Sequence, residues 1–204
     1  MNYYHHNPCC WDYDGCEYSE FSPISKEEEH LRNQLRLLWE QHVYWTRLTI
    51  LSLAAASPDL DFTTQRLLRN ANDFALAFKP FYGRETAAEF GDLIKEHLVI
   101  AADLVKAAKA GNKQAAADAE KRWYENADEI VCFLNCINCY WGLRKMTAMW
   151  HKHLALTKDE AVAILTGKYE ESIALFDEIE HQALMMADLF AKGIIKQFPA
   201  IFDC

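Results

Sequence analysis

From Ser25 to Pro199 apolar residues return at alternating intervals of three and four, and the rhythm breaks only around Ser57–Pro58, Pro80–Gly83, Gly111, Tyr140 and Gly167. A period near 3.6 sustained between breaks of this kind dictates helices with one buried stripe each. Seven Gly and five Pro in 204 residues also leave too few turn formers for a fold of many short strands. Ser25 with Glu28 is a capping box that opens the first helix, which runs to Ser57 and Pro58. The second helix spans Phe62 to Lys79, the third Arg84 to Ala110 and the fourth Asn112 to Asn138. The fifth runs from Trp141 to Leu165, and the sixth follows Gly167 and ends before Pro199. Short links make successive helices antiparallel, and the second, shorter helix reads as peripheral. The expected fold is all-α: an antiparallel helical bundle of about six helices.

Residues 24–204 are expected to form one domain, and residues 1–23 a flexible tail without periodicity, broken by Pro8, Gly15 and Pro23. The tail gathers His5, His6, Cys9, Cys10 and Cys16, at spacings that match no zinc finger or ribbon. Lys and Arg number 21 against 30 Asp and Glu, a formal charge of −9 that repels phosphate backbones and anionic lipid, so no nucleic-acid partner is expected. The longest apolar stretch, Leu48 to Ala56, contains Thr49 and Ser52 and is far short of a bilayer span, so no membrane insertion is expected. The start of the chain has neither the basic residues nor the apolar segment of a secretory signal, so a reducing cytoplasm is expected, with the seven cysteines mostly as thiols.

Helix phases identify which polar residues point inward. In the first helix Leu31, Leu35, Leu38, His42, Trp45, Thr49 and Ser52 form the stripe, with Arg36, Glu40 and Arg47 opposite. His97 lies on the stripe of Phe90, Leu93, Ile100 and Leu104, and His153 and Glu160 on that of Met146, Met149, Trp150, Leu156 and Ile164. In the sixth helix Glu180 falls within about 40° of the stripe's centre and His181 on the outer face. Asn126 sits beside Trp123, Ala127 and Ile130. A fragment also recurs around three of these residues: Leu38-Trp-Glu-Gln-His42-Val43, Leu93-Ile-Lys-Glu-His97-Leu98 and Met149-Trp-His-Lys-His153-Leu154.

In an antiparallel hairpin, residues at one level have numbers that sum to about twice the turn position. This puts His97, Asn126, His153 and Glu180 in one layer, with His42 near the middle of its own helix. Burying three imidazoles and a carboxylate costs several kcal/mol unless they are paired or bind a cation. The pattern points to a divalent metal, Zn, Fe or Mn, held by His42, His97, His153 and Glu180, with Asn126 as a supporting or additional ligand. Glu160, two turns from His153, belongs to another layer or a second metal. The competing reading is a non-catalytic structural or interaction protein whose buried His hydrogen-bond network fixes helix register. The Glu-x-x-His pairs of ferritin-like di-metal centres occur only as Glu27–His30 and Glu178–His181, neither of them well placed, and whether the chain is an enzyme stays open.

Cys132, Cys136 and Cys139 form a stripe opposite the core face of their helix, suited to packing under the second helix or another subunit, so a homo-oligomer stays open. Soft-metal or redox chemistry at these thiols is the other reading. No glycine-rich phosphate loop, nucleophile elbow or kinase signature is present.

Leu38-Trp-Glu-Gln-His-Val-Tyr-Trp-Thr-Arg47, Arg66-Leu-Leu-Arg-Asn70, Phe81-Tyr-Gly83, Asn126-Ala-Asp-Glu-Ile130, His153-Leu-Ala-Leu-Thr157, Met186-Ala-Asp188 and Gln197-Phe-Pro199 resemble a family of uncharacterised all-helical proteins of spore-forming bacteria. The resemblance covers about residues 30 to 202 and implies a helical bundle but no activity; a sporulation-associated role belongs to the structural or interaction reading. Some members carry the label acetylglutamate kinase, which a chain without an α/β pattern or phosphate loops contradicts. Where members often read Asn-Pro-Tyr-Trp, this chain has Asn138-Cys-Tyr-Trp141. The His-bearing helices also resemble a ferritin-like group of bacterial bundles, which implies a ferritin-like four-helix core within the bundle, an analogy of fold alone.

Overall fold

The computed structural model describes residues 24–202, which form helices α1 (Lys26–Ala55), α2 (Leu60–Lys109), α3 (Lys113–Ile137), α4 (Leu143–Leu165), α5 (Tyr169–Gln197) and α6 (Pro199–Phe202). No strand occurs among the described residues, and none of their helices is long and apolar enough to cross a membrane. The Cys/His-rich tail at 1–23 lies outside the described residues.

Local chemistry explains the helix ends. Ser25 Oγ accepts from the Glu28 backbone N–H at 3.1 Å, and Glu27, Glu28 and Glu29 place negative charge at the positive end of α1. Asn112 caps α3 in the same way, accepting from Ala115 N–H at 3.1 Å. The expected second and third helices are two arms of α2, broken at Gly83, whose φ of 80° and ψ of 175° lie outside helical space three residues after Pro80.

The first arm of α2 is not peripheral. Its face of Leu67, Asn70, Ala71, Phe74 and Phe78 is buried, with Asn70, Phe74 and Phe78 wholly inaccessible. The reason is that α1 and this arm form a hairpin equivalent to the pair made by the second arm with α3, and to the pair α4 with α5. The three hairpins pack side by side, α1 against α2, α4 and α5, and α3 against α4, around a core of Trp39, Phe74, Phe78, Phe90, Trp141, Trp150 and Phe190. The hairpin turns confirm the equivalence. Ala56, Gly111 and Gly167, spaced by 55 and 56 residues, all adopt positive φ (52°, 70° and 74°). At each, two reverse hydrogen bonds close the helix: Ala56 N to Leu53 O with Ser57 N to Ser52 O, Gly111 N to Ala108 O with Asn112 N to Ala107 O, and Gly167 N to Ile164 O with Lys168 N to Ala163 O.

Candidate metal centre

Each hairpin delivers one histidine to the middle of the bundle. His42 on α1, His97 on the second arm of α2 and His153 on α4 are 2%, 1% and 2% exposed. Their ring centroids form a nearly equilateral triangle with sides of 6.2 Å (His42–His97), 5.5 Å (His42–His153) and 6.3 Å (His97–His153). One ring nitrogen from each lies within 4.8 Å of the other two. Tetrahedral coordination at a metal–nitrogen distance of about 2.0–2.1 Å needs nitrogens about 3.4 Å apart, so a small inward movement of each ring would close the site.

The second helix of each hairpin holds its histidine with a carboxamide. Asn70 Oδ1 lies 3.0 Å from His42 Nδ1, Asn126 Oδ1 3.1 Å from His97 Nδ1, and Gln182 Oε1 3.2 Å from His153 Nδ1. The amide nitrogen of each then donates to a backbone carbonyl: Asn70 to Leu38, Asn126 to Leu93 and Gln182 to Met149, at 3.0, 3.3 and 3.0 Å. Every one of these carbonyls belongs to the residue four before the histidine. Because the amide N–H faces a carbonyl, the amide oxygen must face the ring, and Nδ1 must carry the proton. The lone pair of all three imidazoles is therefore on Nε2.

Burial keeps the rings neutral. Desolvation lowers the pKa of His42 to about 4 and that of His153 to about 3, and holds His97 well below the usual histidine range, with His42 and His153 adding to the effect at His97 and His42 adding to it at His153. Aromatic rings enclose the cluster: Trp39 packs edge-on at 5.3 Å from His42 and 5.9 Å from His153, Trp150 at 5.3 Å from His97, and Trp123 also at 5.3 Å from His97.

The layer predicted from hairpin arithmetic is met for His97, Asn126 and His153, and His42 joins it. Glu180 does not: it is exposed and faces Glu40 of α1, whose carboxyl is raised above its ordinary pKa first by its partial burial and then by the Glu180 charge. The inward position opposite His153 belongs to Gln182, two residues further along α5, where Ile179, Gln182, Ala183 and Met186 define the buried face. Glu160 is buried at 1% exposure but is held by Arg47, which also donates to Ser172 O at 3.0 Å, so it lies with a cation and outside the histidine cluster. Asn70 and Gln182 were not anticipated. Their signal is the separation of 28, 29 and 29 residues between each histidine and its amide. Cys132, Cys136 and Cys139 are exposed thiols, not packed beneath α2.

Compared with family models, curated proteins and solved structures, the chain matches none.

Proposed function

We propose that the protein binds one divalent transition metal through Nε2 of His42, His97 and His153. The observation that carries this reading is the repeated clamp, in which a carboxamide and the carbonyl four residues before the histidine hold each Nδ1–H away from the centre. Such outer partners fix the tautomer and orientation of metal-ligating histidines. Three neutral nitrogen donors suit Zn or Fe, with Mn a weaker fit, and leave a coordination position free for water or a substrate, as catalytic sites do. The cluster includes no carboxylate among the described residues, so the proposed centre is mononuclear and differs from the Glu-x-x-His donor set of ferritin-like di-metal proteins. A cytoplasmic setting is part of the same reading, and the three exposed thiols support it.

A purely structural His network is the second reading. Against it, the hydrogen bonds of the three rings run through Nδ1 among the described residues, whereas a register-setting network would use both nitrogens. Metal content of protein purified without an affinity tag tests the choice. We expect about one metal per chain, lost in His97→Ala, and a melting temperature that falls with chelator, since a metal present at 1,000 times its Kd adds about 4 kcal/mol. Absence of stoichiometric metal together with a melting temperature indifferent to chelator would establish the structural reading instead.

A further inference from the structure

A cavity of about 190 Å³ begins one helical turn beyond the histidine cluster. Thr46, Ala101 and Thr157, each one turn beyond a histidine, line it, and it continues along the same three helices past Ile50, Val105 and Ala161. On the other side of the cluster Trp39, Ile94 and Trp150, three residues before each histidine, are wholly inaccessible. Close packing there leaves the cavity, which starts one turn away on the opposite side, as the approach to a metal held by the histidines.

The cavity wall is apolar with few exceptions, and most of those are already engaged. Thr46 Oγ1 donates to His42 O at 2.7 Å and Thr49 Oγ1 to Trp45 O at 2.8 Å, while Lys158 and Glu120 pair with each other at 2.7 Å. Two buried lining groups have no hydrogen-bond partner among the described residues, Thr157 Oγ1 and Trp123 Nε1, on side chains 5% and 2% exposed. Thr157 is one turn from His153, and the Trp123 ring lies 5.3 Å from that of His97, so both donors stand at the histidine end. Two unspent donors beside a dication call for an acceptor that carries negative charge, and the rest of the wall calls for hydrocarbon.

We propose that the cavity binds a small aliphatic monocarboxylate, its carboxylate at Thr157 and Trp123 beside the metal and its chain along Ile50, Val105 and Ala161. This rests on the metal reading above, because three neutral imidazoles alone would not stabilise a buried anion. A dry cavity of about 150 Å³ holds benzene, so about six to eight carbons fill this one.

The test uses full-length protein loaded with cobalt(II), at a loading confirmed by metal analysis, and titrated with acetate, butyrate, hexanoate, octanoate and dodecanoate while the visible cobalt spectrum is followed. Affinity is expected to rise roughly fourfold per methylene up to about eight carbons and then to stop rising. Thr157→Val, which keeps the shape and removes the donor, is expected to weaken octanoate about tenfold, and Ala161→Phe, which fills the cavity, to abolish its effect. If cobalt binds at the histidines but octanoate changes the spectrum no more than acetate does, the carboxylate site is refuted and the metal site stands. If octanoate binds wild type and Ala161→Phe alike, the cavity is not its site. If cobalt does not bind at all, both readings fall.

Discussion

Asn70 holds His42 and the carbonyl of Leu38 at once, with both hydrogen bonds at 3.0 Å, and so decides which nitrogen of His42 faces the centre of the bundle. The same device occurs at Asn126 with His97 and at Gln182 with His153. Replacing a carboxamide by a near-isosteric hydrocarbon, as in Asn70→Leu, Asn126→Leu or Gln182→Met, frees the ring and its tautomer. Metal affinity is expected to fall about 10- to 100-fold in each case. Competition titration against a chromophoric chelator measures this, and the three losses should be of similar size because the three clamps are equivalent. An affinity within twofold of wild type in all three would show that the clamps do not position the ligands.

The neutral imidazoles make the metal-free protein sensitive to acid. Their folded pKa values, about 4 for His42, about 3 for His153 and well below the usual range for His97, lie under the value of about 6.5 for an unfolded histidine. Below about pH 6.5 the unfolded chain therefore takes up protons that the folded chain refuses. The stabilisation is complete above that pH and is lost as pH falls toward the folded values, by up to about 1.4 kcal/mol per histidine per pH unit. Urea midpoints of metal-free protein should drop steadily from pH 7 to pH 5, and a triple His→Gln variant should lose that slope. A wild-type midpoint flat over this interval would mean that the rings are already charged or solvated.

The hairpin turns give a stability prediction of opposite sign at equivalent positions. Ala56 occupies the left-handed conformation that Gly111 and Gly167 occupy in the other two hairpins. A Cβ at position 111 or 167 would meet no atom within 4 Å, so the cost of a side chain there is one of backbone conformation alone. Ala56→Gly should raise stability, and Gly111→Ala and Gly167→Ala lower it, each by about 1 kcal/mol. Chemical denaturation reads all three, and destabilisation by Ala56→Gly would contradict the equivalence.

Helix phase and punctuation carried most of the fold because each break uses a residue with a single backbone consequence, such as Gly111 and Gly167 in left-handed turns. Gly83 was legible as an end but not as a bend inside one long α2, since a chain break and a kink have the same local chemistry. His42, His97, His153 and Asn126 were legible because polar residues on an apolar stripe have nowhere else to point. Helix phase misplaces Glu180 because an uncertainty of one or two residues moves a side chain across a helix, and Gln182 stands at the inward position. Asn70 is hidden from the same reasoning because its helix, short and between two breaks, reads as peripheral. The interval of 55 and 56 residues between the histidines would have recovered it, since Asn70, Asn126 and Gln182 are each 56 apart.

Helix phase puts Arg47 on the solvent side of α1, yet it reaches across to Glu160 on α4 and Ser172 on α5. Burial raises the Glu160 carboxyl above its ordinary pKa and the Arg47 hydrogen bond opposes this, so the ion pair depends on the arginine. Arg47→Met leaves a buried carboxylate without its cation and is expected to cost about 3–5 kcal/mol at neutral pH. That cost should shrink in acid. In the variant the folded pKa of Glu160 rises further above its unfolded value, so Glu160 penalises folding only as pH climbs above about 4.5. The difference between wild type and Arg47→Met, measured at pH 5 and pH 8, isolates this effect from the histidines, which both proteins share. Arg47→Met combined with Glu160→Met should recover most of the loss, because hydrocarbon of similar volume replaces both charges. A double variant as unstable as Arg47→Met alone would show that the arginine acts through its bond to Ser172 and not through Glu160.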